Sequence, residues 1–282
     1  MKPDRRFLKQ PKRFWAHVRT ISQQVGYTDR RTRHIKIPSL DEIQAALSDL
    51  GLATGHVVWR RGRPRPFGNL LLSYFRHRAD VLNRFVEPRL MNASQARRLF
   101  RETRAKLKPT CPLPMNKQSG SKRAHAFLTG IVNMLIEANS SGLPCDFDPR
   151  ELTTVTRKGV PVRTMARRID GAFPAAVNPR AVWEIKEYYY TTTFGSRVAD
   201  GVYETLLDGM ELEELRQNEG IDVRHYLIVD AHYTWWVCGR SYLCRIIDML
   251  HMGYVDEVLF GREVVERLPQ LVKQWVAAVS RR

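Results

Sequence analysis

The chain has 282 residues, 43% of them hydrophobic, which is enough for one sizeable core or two ordinary domains and too apolar for a disordered polymer. Its formal net charge of +17 sits entirely in the first part: residues 1–110 hold 25 Lys and Arg against 8 Asp and Glu, while residues 111–282 hold 21 of each. No apolar run approaches the roughly 20 residues of a membrane helix, and the basic N-terminus lacks the apolar stretch of a secretory signal, so the expected setting is cytoplasmic with no membrane partner.

Arginine outnumbers lysine 35 to 11, and its planar fork suits phosphates and guanine edges. The expectation is a basic, mainly α-helical domain over 1–110 that binds double-stranded DNA, followed by a second domain over 111–282. In chain order, "PSLDEIQAALSDLGL" predicts a helix with Ser39 as N-cap, Glu42 as its capping-box partner and Gly51 as the stop. "WRRGRPRPFG" is a basic loop whose Arg60, Arg61, Arg63 and Arg65 are candidates to lie along a phosphate backbone or enter a minor groove. Two helices are predicted next, over "GNLLLSYFRHRADVLNRFV" and "NASQARRLFRETRAKL", the second with arginines on several faces.

Prolines and a Ser-Gly-Ser in "KLKPTCPLPMNKQSGSKR" place a linker near 107–121. Lys122 and Arg123, at the start of the next helix, are further candidates for the DNA backbone. That helix, in "KRAHAFLTGIVNMLIEAN", has a wide apolar stripe fit to cover a sheet. Two β segments joined by a turn at Lys158-Gly159 follow, then a third strand in "AVWEIKEYYYTTT", rich in aromatic residues. A helix from about Ser196 to Gln217 ends before Gly220, and "RHYLIVDAHYTWWV" predicts one strand or two short ones. Helices finish the chain, with Pro269 expected to kink or split the last. From residue 121 the order is α-β-β-β-α-β.

Four cysteines, Cys111, Cys145, Cys238 and Cys244, have no zinc-ligand spacing and are expected to be reduced thiols. The chemistry points elsewhere. Side chains alternate along a strand, so Glu184 and Lys186 share one face while Trp183 and Ile185 turn into the core. If residues 163–171 pair antiparallel with 181–190 around Val177, Asp170 falls opposite Glu184. Two carboxylates so placed suit a hard cation such as Mg²⁺, with Mn²⁺ as a substitute. For phosphodiester hydrolysis the cation would neutralise the scissile phosphate and acidify a bound water, and the lysine would orient that water or steady the developing charge.

"RID" and "EIK", set on the second and third strands of this series, resemble the motifs of the PD-(D/E)xK nuclease superfamily, which includes most restriction endonucleases. "RID" stands where that family usually shows Pro-Asp. The resemblance covers about residues 121–230 and implies a restriction endonuclease-like α/β core, a mixed sheet flanked by helices. It further implies Asp170 and Glu184 as metal ligands, the Ile185 carbonyl as another, and Lys186 as the catalytic lysine. The acid that this family often carries on its first core helix would be Glu137, with Glu204 as a further candidate. A prokaryotic restriction or defence endonuclease follows, as a homodimer if it cuts both strands of a palindrome. Two other classes share these features: a DNA-binding or regulatory protein with a nuclease-like core that does no chemistry, and an RNA-processing nuclease.

Overall fold

The computed structural model describes residues 1–29, 31–59, 62–116, 124–190 and 195–280. The basic part is helical there, with no strand between residues 1 and 110 among the described residues. Two helices precede those expected, α1 (Arg5–Leu8) and α2 (Lys12–Val25), the latter burying Phe14, Trp15, Val18 and Ile21 on one face. In α3 (Leu40–Ser48) the Ser39–Glu42 capping box is present in both directions, with Glu42 N donating to Ser39 Oγ and Ser39 N donating to Glu42. Helix α4 (Pro66–Val81) runs on into a π turn at Leu82–Val86. It is tied to the rest of the chain by Arg78, whose buried guanidinium lies 3.0 Å from Asp248.

Helix α5 (Ala93–Leu107) is capped by Asn92 and Gln95. It lies on α6 (Phe127–Asn139) so closely that a Cβ at Gly130 would stand 2.5 Å from the Phe100 ring. The expected hairpin forms as β1 (Thr154–Arg157) and β2 (Val160–Thr164), turning at Lys158 and Gly159 with φ of 51° and 82°. Positive φ at both positions is the turn whose twist matches a hairpin. This pair stands apart as its own two-stranded sheet. The second β segment therefore does not reach residue 171: the chain leaves the hairpin after Thr164 and enters the main sheet only at β3 (Gly171–Phe173).

The main sheet has the order β3-β4-β5-β6, with β4 spanning Ala181–Glu187, β5 Arg224–Asp230 and β6 Glu257–Phe260. β3 runs antiparallel to β4, while β4, β5 and β6 are mutually parallel neighbours. Trp183, Tyr226, Ile228 and Leu259 face α6 and α9 (Glu263–Val279). Val182, Leu227, Val229 and Phe260 face the other way, toward α7 (Ser196–Glu219) and α8 (Arg240–Met252). Helices thus cover both faces of a mixed sheet, as the α/β expectation required.

The last third of the chain departs from the expected elements at two points. The stretch after Asp230 is no second strand: Tyr233–Cys238 winds into a π turn whose Trp235 and Trp236 point into the α8 side of the core. The short apolar run "EVLF" adds the edge strand β6, which four residues were too few to announce. Pro269 does not split α9, which continues through it. The carbonyl it leaves without a helical donor belongs to Val265, which is exposed. Among the described residues no helix is long and apolar enough to cross a membrane.

Candidate active site

Gly171 pairs with Trp183, and this register carried one residue further sets Asp170 against Glu184. Backbone contacts hold the alignment: Ile185 N donates to Asp170 Oδ2 at 2.7 Å, and Asp170 N donates to Glu184 Oε1 at 3.2 Å. A glycine is needed at 171 because the Trp183 indole lies over its α-carbon, 2.1 Å from where a Cβ would be.

On the face shared by Glu184 and Lys186 the cover is α7. Gly201 lets the helix pass close to the Lys186 stem, since its Cβ would stand 3.1 Å from Lys186 Cδ. One turn on, Glu204 and Asp208 point at the strand, as residues four apart on a helix do. Lys186 Nζ donates to Glu184 Oε2 at 2.7 Å and to Glu204 Oε2 at 3.0 Å. Arg167, from the segment between β2 and β3, completes the cluster at 3.0 Å from Glu184, 3.3 Å from Glu204 and 2.7 Å from Asp208. Glu184 and Asp208 are fully buried.

Four carboxylates, Asp170, Glu184, Glu204 and Asp208, thus face two cations, Arg167 and Lys186, leaving a formal excess of two negative charges. The titration of the group follows from burial first and then from that imbalance. Burial and the neighbouring Glu184 push Asp170 up to about 6, although its residue surface remains open to solvent on one side. Burial, with Glu184 again, pushes Asp208 up to about 7. Burial also opposes the charge on Glu184, but Lys186 and Arg167 outweigh it and hold that carboxyl below its ordinary value. For Lys186 burial opposes the charge, and Glu184 and Asp170 overcome it to hold the ammonium above its usual range.

In donor chemistry the cluster fits a hard cation: it is rich in carboxylate oxygens, short of positive charge, and holds one buried carboxylate oxygen, Asp208 Oδ1, without a hydrogen-bond partner. Among the described residues, no three His, Cys, Asp or Glu side chains form a ready-made metal-binding group. Asp170 and Glu184 are the two carboxylates that could hold such a cation, with water in the remaining positions.

Asp170, Glu184, Ile185 and Lys186 are brought together. Glu137 is not among them: it sits in the last turn of α6, where it accepts from Thr110 N at 3.1 Å. The first turn of α6 docks at Glu187, which accepts from Phe127 N at 2.7 Å, and Glu137 lies about 15 Å further along the axis at 1.5 Å per residue. Glu204 joins the cluster. Arg63 is exposed, and Arg65 stacks on Trp59 with its guanidinium 3.6 Å from the ring centre. Arg60, Arg61, Lys122 and Arg123 lie outside the described residues. His225 is buried and held off protonation by burial, with Nδ1 2.8 Å from the Tyr254 carbonyl oxygen.

Sequence reasoning passed over Arg167 and Asp208. Their signal was a stripe of acids at helical spacing, Glu204, Asp208 and Glu211, matched by Arg163 and Arg167 on the segment they face.

Residues 91–275 match the family described as "Domain of unknown function (DUF7687)". The chain belongs to that family. Residues 1–85 match a second one, "Domain of unknown function (DUF7690)". The whole cluster from Arg167 to Asp208 lies in the DUF7687 stretch, together with α5 and the entire main sheet. No curated protein and no solved structure matches the chain.

Proposed function

We propose that the protein is a Mg²⁺-dependent endonuclease acting on double-stranded DNA, of the kind found in prokaryotic restriction or defence, with Asp170, Glu184 and Lys186 at its centre. The observation that carries this reading is the convergence of Glu184 and Lys186, on β4 beneath α7, with Asp170, immediately before the adjoining strand β3, in a cluster with excess negative charge. Mg²⁺ or Mn²⁺ held by Asp170 and Glu184 would supply charge neutralisation at the scissile phosphate and a more acidic water. Lys186, held between Glu184 and Glu204, would orient the attacking water and stabilise the negative charge that develops on the phosphoryl oxygens. Arg167 would keep Glu184 ionised and align it with Asp208. Cutting both strands of a symmetric site would call for a homodimer.

A second reading, a DNA-binding protein with no chemistry at this cluster, draws on Arg167 and Lys186 together, because they already neutralise Glu184 as a structural ion pair would. Incubating plasmid and linear duplexes with the protein and Mg²⁺ or Mn²⁺, then sequencing any ends, separates the two. The nuclease reading requires cut products that vanish with EDTA and in Asp170→Asn. Retarded but intact DNA under every condition overturns it.

A further inference from the structure

Outside the carboxylate cluster, the strongest unassigned feature is a groove of about 590 Å³ between α5 and the entry to α6. Its polar wall is a row of arginines on one face of α5, Arg97, Arg101 and Arg104, all exposed. Its floor is Phe100, Phe127 and His125, with His125 stacked on Phe100 at a 5.1 Å ring separation. The row owes its place to the helix period. Ala96, Phe100 and Thr103 form the buried seam of α5, and the three arginines follow it one residue round.

Among the described residues these arginines have no acidic partner. Helix α5 carries five basic residues and a single acid, Glu102, which lies against Arg98 at 3.9 Å rather than against the row. Among the described residues no carboxylate stands within ion-pair distance of Arg97, Arg101 or Arg104. Three like charges one turn apart on a helix repel one another, so the arrangement costs stability unless a polyanion meets it. Arg97 also donates to Tyr190 Oη at 3.4 Å. Tyr190 lies four residues beyond Lys186, so the groove opens beside the end of the strand that carries the candidate active site.

We infer that the Arg97–Arg101–Arg104 row is the surface that grips the sugar–phosphate backbone of duplex DNA and leads it to the Asp170–Glu184–Lys186 cluster. The inference rests on the nuclease reading only for the purpose of the grip, not for the grip itself. At 1.5 Å per residue the row spans about 10 Å, which at about 3.4 Å of axis per phosphate reaches two to three phosphates of one strand. Guanidinium forks suit phosphate oxygens in this way. A single-strand binder would offer exposed aromatic faces for unstacked bases, whereas Phe100 and Phe127 are buried here.

The test is fluorescence anisotropy of a labelled duplex with the full chain in EDTA, so that cleavage plays no part. Arg97→Gln/Arg101→Gln/Arg104→Gln should bind at least about tenfold more weakly and lower the slope of log K against log salt by about 2 to 3. A charge-matched control, Arg84→Gln/Arg150→Gln/Arg262→Gln, should keep most of the affinity and slope. Circular dichroism of both variants checks that α5 is folded. Unchanged binding by the row variant, or an equal loss in the control, overturns the inference. So does tighter binding to single-stranded DNA, to duplex RNA or to phosphatidylserine vesicles than to the DNA duplex. Wild-type cutting with Mg²⁺, assayed alongside, keeps the two readings apart: loss of duplex binding by the row variant in EDTA supports the grip whether or not the wild type cuts.

Discussion

Arg167 Nη1 lies 3.0 Å from Glu184 Oε1, so the acid assigned to a metal ion already faces a guanidinium from the preceding segment. On the proposed reading, a divalent cation would serve the same carboxylates as Arg167 and partly substitute for it. In Arg167→Met the buried Glu184 and Asp208 lose their shared counter-charge, and the fold should weaken by about 2–4 kcal/mol at neutral pH. Millimolar Ca²⁺ should recover part of this loss and raise the variant's unfolding midpoint more than the wild type's. Urea titrations with and without Ca²⁺ make the comparison; an equal response in both proteins would sink the substitution argument.

Asp170 and Lys186 should fail in different ways. Lys186→Ala keeps both carboxylates, so it should lose at least about 100-fold in cleavage rate while still responding to cations. Asp170→Asn should lose cleavage and, in calorimetry, the cation response as well. Full cutting by either variant removes the mechanism. A Ca²⁺ heat preserved in Asp170→Asn would instead move the cation to Glu204 and Asp208.

Glu187 gives the fold a pH dependence of its own. Burial pushes this carboxyl up to about 7, against the pull of Phe127 and Thr129 N–H groups at 2.7 and 3.0 Å. Its folded pKa thus exceeds the ordinary value, and the native state holds the proton more tightly than the unfolded chain does. The stabilisation is complete below the unfolded pKa and is lost as pH rises through about 7. Glu184, held below its ordinary value, is ionised in both the folded and unfolded states at neutral pH and adds no slope there. Buried histidines slope the other way, His251 having been pushed down to about 4, so the informative quantity is the difference between wild type and Glu187→Gln. Urea midpoints between about pH 5 and 8 should fall less in the variant, by about 1–2 kcal/mol across the range. Parallel curves would assign the slope instead to Asp208 or to Asp230, which burial likewise pushes up to about 7.

The sequence was most readable where one period governs. The Ser39 capping box and the Lys158-Gly159 turn follow from local rules, because a cap and a two-residue turn leave little freedom; the Asp170–Glu184 register holds although the strand expected over 163–171 is replaced by β3 alone. What escaped notice depended on packing between distant segments. Arg167 was one arginine among 35 until α7 set Glu204 and Asp208 opposite it. Glu137 was the only acid on its helix, yet the docking of Glu187 at the other end of α6 carries it away from the sheet face in question. The second half of "RHYLIVDAHYTWWV" keeps strand-like composition, but tryptophans adjacent in sequence would point to opposite faces of a strand, and both Trp235 and Trp236 are buried in one core.

Gly171 fixes the position of Asp170, and replacing it should show how far the site depends on that packing. A Cβ there would meet Trp183 Cζ2 at 2.1 Å. The ring cannot swing aside easily, because its other face stacks on Trp275 with centroids 5.6 Å apart and planes 8° from parallel. In Gly171→Ala either β3 leaves the sheet edge or the Trp183–Trp275 stack opens, at a cost of about 2–3 kcal/mol by the usual scale of overpacking. Losing the β3 pairing would also take Asp170 Oδ2 from Ile185 N, so cleavage should fall along with stability. The double variant Gly171→Ala/Trp183→Leu relieves the collision and should recover part of both, as read by urea unfolding and by plasmid cutting. Wild-type stability in the single variant would mean that the indole does not lie over residue 171, and the register that sets Asp170 against Glu184 would lose its structural cause.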